Sequence, residues 1–342
     1  MSRPWLATAP AVMLALMSCA GDRRRDEPST PPAERALAEL ADLTEPDSAP
    51  PPPAAVGPLD DVAQIDRTLF SAAAARPLGR ARAGDWLAEN AEYGQTVADW
   101  WKRRPNLPTA ERRTLYLLPL GHLFPESSPP IETLRRYIEI YFGLPAVVLP
   151  EVAVAEVKAH TRINPYSKNL QMNSVDVLTW MKKKVPADAY AVMAITETDL
   201  YPEDSWNFVF GQASFTDRVA VQSTARYHPS FYGQSASPLE ARRMILRRTL
   251  MVVSHELGHA FGISHCTWYA CAMNGSNHLE EADRRPLHVC PVDLRKLHRA
   301  AGFDVRERYE QLEAFYRELD FDDEADWIDD QLERGIDINP DP

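Results

Sequence analysis

Positive charge is scarce in this chain. Its 342 residues carry 37 lysines and arginines against 49 aspartates and glutamates, a formal net charge of -12, and such a surface repels phosphate, which excludes nucleic acid as a partner. The deficit is local: Asp304 to Pro342 holds fifteen acids against four arginines, hence -11, and everything before it is close to neutral. Long apolar runs are also missing. The apolar stretch near the start, Leu6 to Met17, is too short to span a bilayer as a stable helix. No internal repeat is present. Glycine is sparse, 14 against 29 prolines, and the prolines crowd into "EPSTPPAERALAELADLTEPDSAPPPPAAVGP" (27–58), an extended semi-rigid tether with one short helix expected around Ala33 to Leu43. The whole chain is 45% hydrophobic and long enough to bury a substantial core, as a soluble enzyme requires.

The first residues read as an address. "MSRPWLATAPAVMLALMSC" has a charged start at Arg3, an apolar stretch and a small residue, Ser18, before Cys19. Leu16-Met17-Ser18-Cys19 resembles the lipobox of bacterial lipoproteins, which implies cleavage before Cys19, acylation of its sulfur and export to the cell envelope; an ordinary secretory signal is the alternative. The organisation expected is a signal peptide (1–18), a tether (19–60), an N-terminal helical region (61–110), a folded domain (111–303) and an acidic helical tail (304–342).

The folded part alternates strands and helices. "RTLYLLPLG" (113–121), "AVVLPEVAV" (146–154) and "AYAVMAIT" (189–196) read as buried strands, with further extended pieces at "NFVFG" and "RVAVQSTARY". "PPIETLRRYIEIYFG" places Ile131, Leu134, Ile138 and Phe142 on one helical face, and "SVDVLTWMKKKV" reads as a helix capped by Ser174. Trp86, Trp100 and Trp101 in "GDWLAENAEYGQTVADWWKRR" suggest packing helices. In the tail, Leu312, Phe315, Tyr316 and Leu319 form an apolar face that docks on its own domain, and "DFDDEADWIDD" lacks the glycine and spacing of a calcium loop. The pattern predicts an α/β layer structure.

Three of nine histidines fall within "HELGHAFGISHC" (255–266). Ser237, Pro238 and Glu240 supply an N-cap, a first-turn proline and a capping-box acid, so one helix is expected from there to Gly262. Leu246, Leu250, Val253 and Leu257 share its buried face. His255 and His259, one turn apart, can reach a single ion at the ~2.0–2.1 Å of zinc–nitrogen bonds. Gly262 permits a left-handed exit, letting His265 return as a third ligand. Three protein ligands leave one position for water, as in catalytic zinc sites, and Glu256 is placed to take a proton from that water and pass it to a leaving amine.

His255, Glu256, His259, Gly262 and His265 spell H-E-x-x-H-x-x-G-x-x-H, the metzincin signature, with Cys271-Ala272-Met273 as its methionine turn. With Cys266, Cys271, Met273 and Cys290 at their spacing, and with "LLPLG", "FGLP", "NPYSKNLQMNSVDVL", "ITETDLYPEDSWNFVFG" and "RVAVQSTAR", the chain from Gly84 to Phe303 resembles an archaemetzincin. The resemblance implies a compact zinc metallopeptidase with a twisted, mainly parallel mixed sheet, an active-site helix beneath it and a zinc-stabilised C-terminal subdomain. It also implies Met273 as apolar floor and "RVAVQSTARY" as the edge strand over the cleft, which receives a peptide substrate; the same stretch equally suits an inner strand. A second zinc bound by four cysteines is implied as well. Cys266, Cys271 and Cys290 match, and Asp293 stands where the fourth belongs; Asp293 binds zinc through oxygen, or His288 or His298 substitutes, or a Cys266–Cys271 disulfide forms instead. The functional expectation is a peptidase with Glu256 as general base. Its rival is a zinc-stabilised binding module for peptides or envelope components.

Overall fold

The computed structural model describes residues 16–20 and 54–336. The helix expected at 33–43, most of the tether and the first fifteen residues lie outside the described residues. The strands are β1 (Leu16–Ala20), β2 (Thr114–Pro119), β3 (Ala146–Val148), β4 (Thr161–Ile163), β5 (Leu170–Asn173), β6 (Ala189–Thr196), β7 (Asp199–Tyr201), β8 (Val209–Ser214) and β9 (Val219–Ser223). Eight of them lie in the order β3-β2-β6-β9-β8-β7-β5-β4, and β1 adds to β8. Parallel pairing joins β2 to β3 and β6, β6 to β9 and β5 to β7; β8 runs antiparallel to β9 and β7, and β4 to β5. The sheet is therefore mixed and mainly parallel. Every residue of β6 is buried, as expected for a central parallel strand covered on both faces.

Three readings are settled here. "RVAVQSTARY" forms an inner strand: all of β9 is buried, with β6 on one side and β8 on the other. On its far side β8 meets β7 only through Leu200 and Val209, and the rest of that side pairs antiparallel with β1, Cys19 opposite Gly211, so β8 too lies inside the sheet. Second, Asn173 and not Ser174 caps the next helix, its side chain accepting from the Asp176 amide at 3.0 Å. The stretch at 146–154 is a strand only to Val148, although Leu149 and Val152 still donate to the Leu117 and Pro119 carbonyls at 2.8 and 3.0 Å.

The helices are α1 (Trp86–Glu89), α2 (Val97–Lys102), α3 (Ile131–Phe142), α4 (Ser174–Met181), α5 (Pro238–Ala260), α6 (Leu279–Asp283), α7 (Pro291–Ala301), α8 (Val305–Glu318) and α9 (Asp322–Ile336). One apolar cluster sits between the sheet and α3 and α5, where Leu250, Val253 and Leu257 meet Met193, Ile195 and Phe210. A smaller one fills the other face beneath α4, from Leu118, Val192 and Val209 to Val177 and Met181. Alternate residues of β2 and β6 supply the two faces, which is the period of a strand. The tail folds back as expected: Leu312, Phe315 and Tyr316 of α8 are buried in the larger cluster with Ala325 and Ile328 of α9.

Where the sheet turns toward α5, the Arg226 guanidinium lies 3.7 Å from the Phe208 ring centroid and donates to Asp199 at 2.8 and 2.7 Å. Both partners are buried. Breaking such a pair leaves an uncompensated interior charge, at a cost of about 3–5 kcal/mol. Asp199→Ala is expected to lower the unfolding free energy by that amount in urea titrations; a loss below about 1 kcal/mol would mean that water reaches the pair.

Candidate metal centre

Helix α5 starts as its sequence dictates: the Ser237 hydroxyl accepts from the Glu240 amide at 3.3 Å, and the Glu240 carboxylate accepts from the Ser237 amide at 2.8 Å. It ends at Ala260, and Gly262 follows at φ +76°. That left-handed turn redirects the chain so that His265 comes back beside the last turn of the helix. Nitrogens of His255, His259 and His265 lie within 4.8 Å of one another, and all three rings are buried.

The orientation of the rings is fixed from behind. His255 Nδ1–H donates to the Ala272 carbonyl at 2.8 Å and His259 Nδ1–H to the Ile263 carbonyl at 2.7 Å. Each Nε2 is then an unprotonated acceptor, and the two face each other at 3.0 Å. Two lone pairs at that distance repel unless a cation sits between them. His265 Nε2, also buried, has no hydrogen-bond partner, while its Nδ1 meets the Glu92 carboxylate at 2.9 Å. The donor set fits a tetrahedral zinc ion with one position left for water. Burial, the neighbouring His259 and Arg285, whose guanidinium approaches His255 Nδ1 at 3.3 Å, hold His255 well below the usual imidazole range; burial and His265 push His259 down to about 3. Neutral imidazoles are the ligating form.

Glu256 lies between the two helical histidines, fully buried. The β8 backbone passes close over it: a Cβ on Gly211 would stand 2.7 Å from Glu256 Oε1, so any other residue there would displace the carboxylate. Met273 packs under the helix in the same way, its sulfur occupying the place a Cβ on Gly258 would take. Its carbonyl accepts from the Cys266 amide at 2.8 Å, tying the methionine turn to the residue after His265.

A second cluster joins Cys266, Cys271, Cys290 and Asp293, whose ligand atoms also lie within 4.8 Å of one another. The three thiols form no disulfide. Cys266 Sγ stands 3.7 Å from Cys290 Sγ, and Asp293 Oδ2 3.3 Å from Cys271 Sγ and 3.6 Å from Cys290 Sγ. Hydrogen bonds from Cys271 and Cys290 draw the Cys266 thiol well below its ordinary value, whereas burial pushes Cys271 and Cys290 well above theirs and raises Asp293. Four buried groups that all become anions are costly together unless a cation joins them, and a tetrahedral ion suits sulfur and oxygen donors alike. Lys296 Nζ supplies part of that charge, 2.7 Å from Asp293 Oδ1. His288 and His298 do not join the cluster: His288 Nδ1 bonds Glu324 at 2.8 Å, and His298 Nδ1 faces Arg295 at 3.0 Å.

A third group, Asp85, His278 and Glu281, is already committed to fastening the N-terminal region. Asp85 pairs with His278 and with Arg284 at 2.7 Å, and Glu281 accepts from the Trp86 and Asn277 amides. Glu92, Arg285 and Gly211 escaped sequence reading. Glu92 stands 173 positions from the histidine it meets, and no local pattern links the two.

A sequence model described as Peptidase family M54 matches residues 138–299. Archaemetzincin-2 of Homo sapiens is 39% identical over 276 residues, 72% of this chain and 72% of its own length, and archaemetzincin-2 of Macaca fascicularis is 38% identical over the same shares. A crystal structure of an archaemetzincin from Methanopyrus kandleri aligns with 57% of this chain and 99% of its own at 26% identity, with a TM-score of 0.44. Near 40% identity across most of both chains, together with the buried imidazole cluster, places this protein in the archaemetzincin family of zinc metallopeptidases.

Proposed function

We propose that His255, His259 and His265 hold the catalytic zinc of this peptidase and that Glu256 is its general base and acid. The observation that carries the reading is the convergence of unprotonated Nε2 atoms beside a buried carboxylate under the β8 backbone. When bound, zinc supplies Lewis-acid polarisation of the scissile carbonyl and brings the pKa of a water to about 7. The chain's own residues do the rest. Backbone carbonyls of Ala272 and Ile263 keep two rings in the ligating tautomer, and Glu256 accepts the proton of the attacking water and returns it to the leaving amine. Cleavage before Cys19 removes Leu16–Ser18 from the side of β8 where β1 pairs, and a peptide substrate then lies along that backbone in the same antiparallel register with its carbonyl above Glu256. Glu256→Gln preserves shape and should leave zinc content intact while reducing peptide hydrolysis by about 10²–10⁴-fold. Unchanged turnover in that variant would remove Glu256 from the mechanism.

The reading extends to a second, structural zinc on Cys266, Cys271, Cys290 and Asp293, with Met273 and Gly262 shaping the catalytic site. It rests on the shared position of four buried donors. Metal analysis of purified protein should give two zinc ions per chain, falling to one in Asp293→Ala; one ion in both would discard the clip.

The placement of the protein is read from its start. We propose that Cys19 carries lipid and that the proline-rich tether holds the peptidase off the envelope membrane, with the boundaries given above. Mass spectrometry of protein expressed in a bacterial host should find acylated Cys19 as the first residue; an unmodified residue there, or an uncut start, would remove the anchor.

A further inference from the structure

We infer that Glu92, in the loop between α1 and α2, is a positioning residue for the metal centre, so that the N-terminal region completes a site whose ligands all come from elsewhere. The inference rests on the reading of His265 as a ligand and extends it to the residue behind it. The loop lies outside the 138–299 segment matched to the family, yet its Glu92 reaches the buried His265 ring.

Three rings meet at the centre, and they are not held alike. His255 and His259 sit on a rigid helix and give their Nδ1 protons to backbone carbonyls. His265 follows a glycine turn and has no helical backbone to fix it. Its Nδ1 faces both oxygens of Glu92, at 2.9 and 3.1 Å, and that leaves the buried Nε2 aimed at its two fellow imidazoles with no other partner. A carboxylate on the far nitrogen of a metal-binding imidazole fixes the tautomer, holds the ring plane and makes the ligating nitrogen more basic. The ring is 1% exposed and the carboxylate 18%, so water screens the pair little.

The loop itself is anchored against the same turn. Gln95 donates to the Gly262 carbonyl at 3.2 Å and accepts from the Ser264 amide at 3.1 Å; Trp100 Nε1 donates to the Phe261 carbonyl at 2.8 Å. Gly94 lies so close to the Trp268 indole that a Cβ would fall 2.1 Å from it, and the Trp86 ring stands edge-on to His265 at 5.1 Å. Residues 261–265 are thus fastened by 86–100 on the side away from α5. Glu92 is the charged member of that fastening and the one that hydrogen-bonds a ligand.

Cobalt substitution reports both metal sites in the full-length protein: near-ultraviolet thiolate charge transfer follows the cysteine site alone, and the part of the visible d–d absorption that is absent from His265→Ala follows the histidine site. In wild type, visible bands that vanish in His265→Ala test the ligand assignment by themselves. Glu92→Gln, which keeps the shape of the side chain and loses its charge, should raise the dissociation constant read from the visible bands by about 10- to 100-fold, leave the charge-transfer titration unchanged and leave the melting of metal-free protein where it was. Glu92→Ala should do at least as much. Visible-band affinity within twofold of wild type in both variants would overturn the proposal. So would a loss confined to Glu92→Ala and matched by lower metal-free melting, which would make Glu92 a structural contact only.

Discussion

Lone pairs of buried nitrogens aimed at one another are the constraint around which this molecule is arranged. Without a cation the His255 and His259 edges repel at 3.0 Å, and the fold holds them there only because each ring is anchored from behind and the helix carrying both is packed along its length against the sheet. Stability is spent locally to keep a strained, neutral ligand set in place, a pattern common at sites that bind metal. The same reasoning applies to the Cys266, Cys271, Cys290 and Asp293 cluster, whose acidic groups crowd one dry spot with Lys296 as partial counter-charge.

The two clusters are also joined to each other. Cys266 follows His265 directly, and its amide bonds the Met273 carbonyl, while Cys271 opens the turn that Met273 completes. Ala272 receives the His255 proton through its carbonyl and gives its own amide to the His288 carbonyl, two residues before Cys290. Backbone from one cluster therefore orients a ring of the other. A shift in the sulfur group moves Ala272, and Ala272 sets the plane of His255.

Much of this was written in local pattern. The capping box at Ser237, the positive-φ glycine at 262 and the histidine spacing specify α5 and its exit almost residue by residue, because each depends on neighbours within four positions. The eight-residue β6 was equally plain from its unbroken apolar run. Strands β4, β5 and β7 were not, since three or four residues carry no measurable period. The order of the strands was likewise hidden: β8 and β9 are both fully buried, so pattern could not rank them, and only the pairing shows that both lie inside the sheet. The contacts of Glu92 with His265 and of Gly211 with Glu256 join distant segments, and burial alone brings them together.

The acidic C-terminal helices offer a last consequence. Glu324 accepts from the Leu287 amide at 2.7 Å and from His288 Nδ1 at 2.8 Å, and the Trp327 ring lies flat on the His288 imidazole with centroids 3.5 Å apart. Leu287 and His288 lead straight into Cys290. A premature stop codon after Glu318 would therefore remove no mere appendage: it would take away the brace beneath the third cysteine, and the defect would travel from the lost α9 to the sulfur end of the metal-bearing loop.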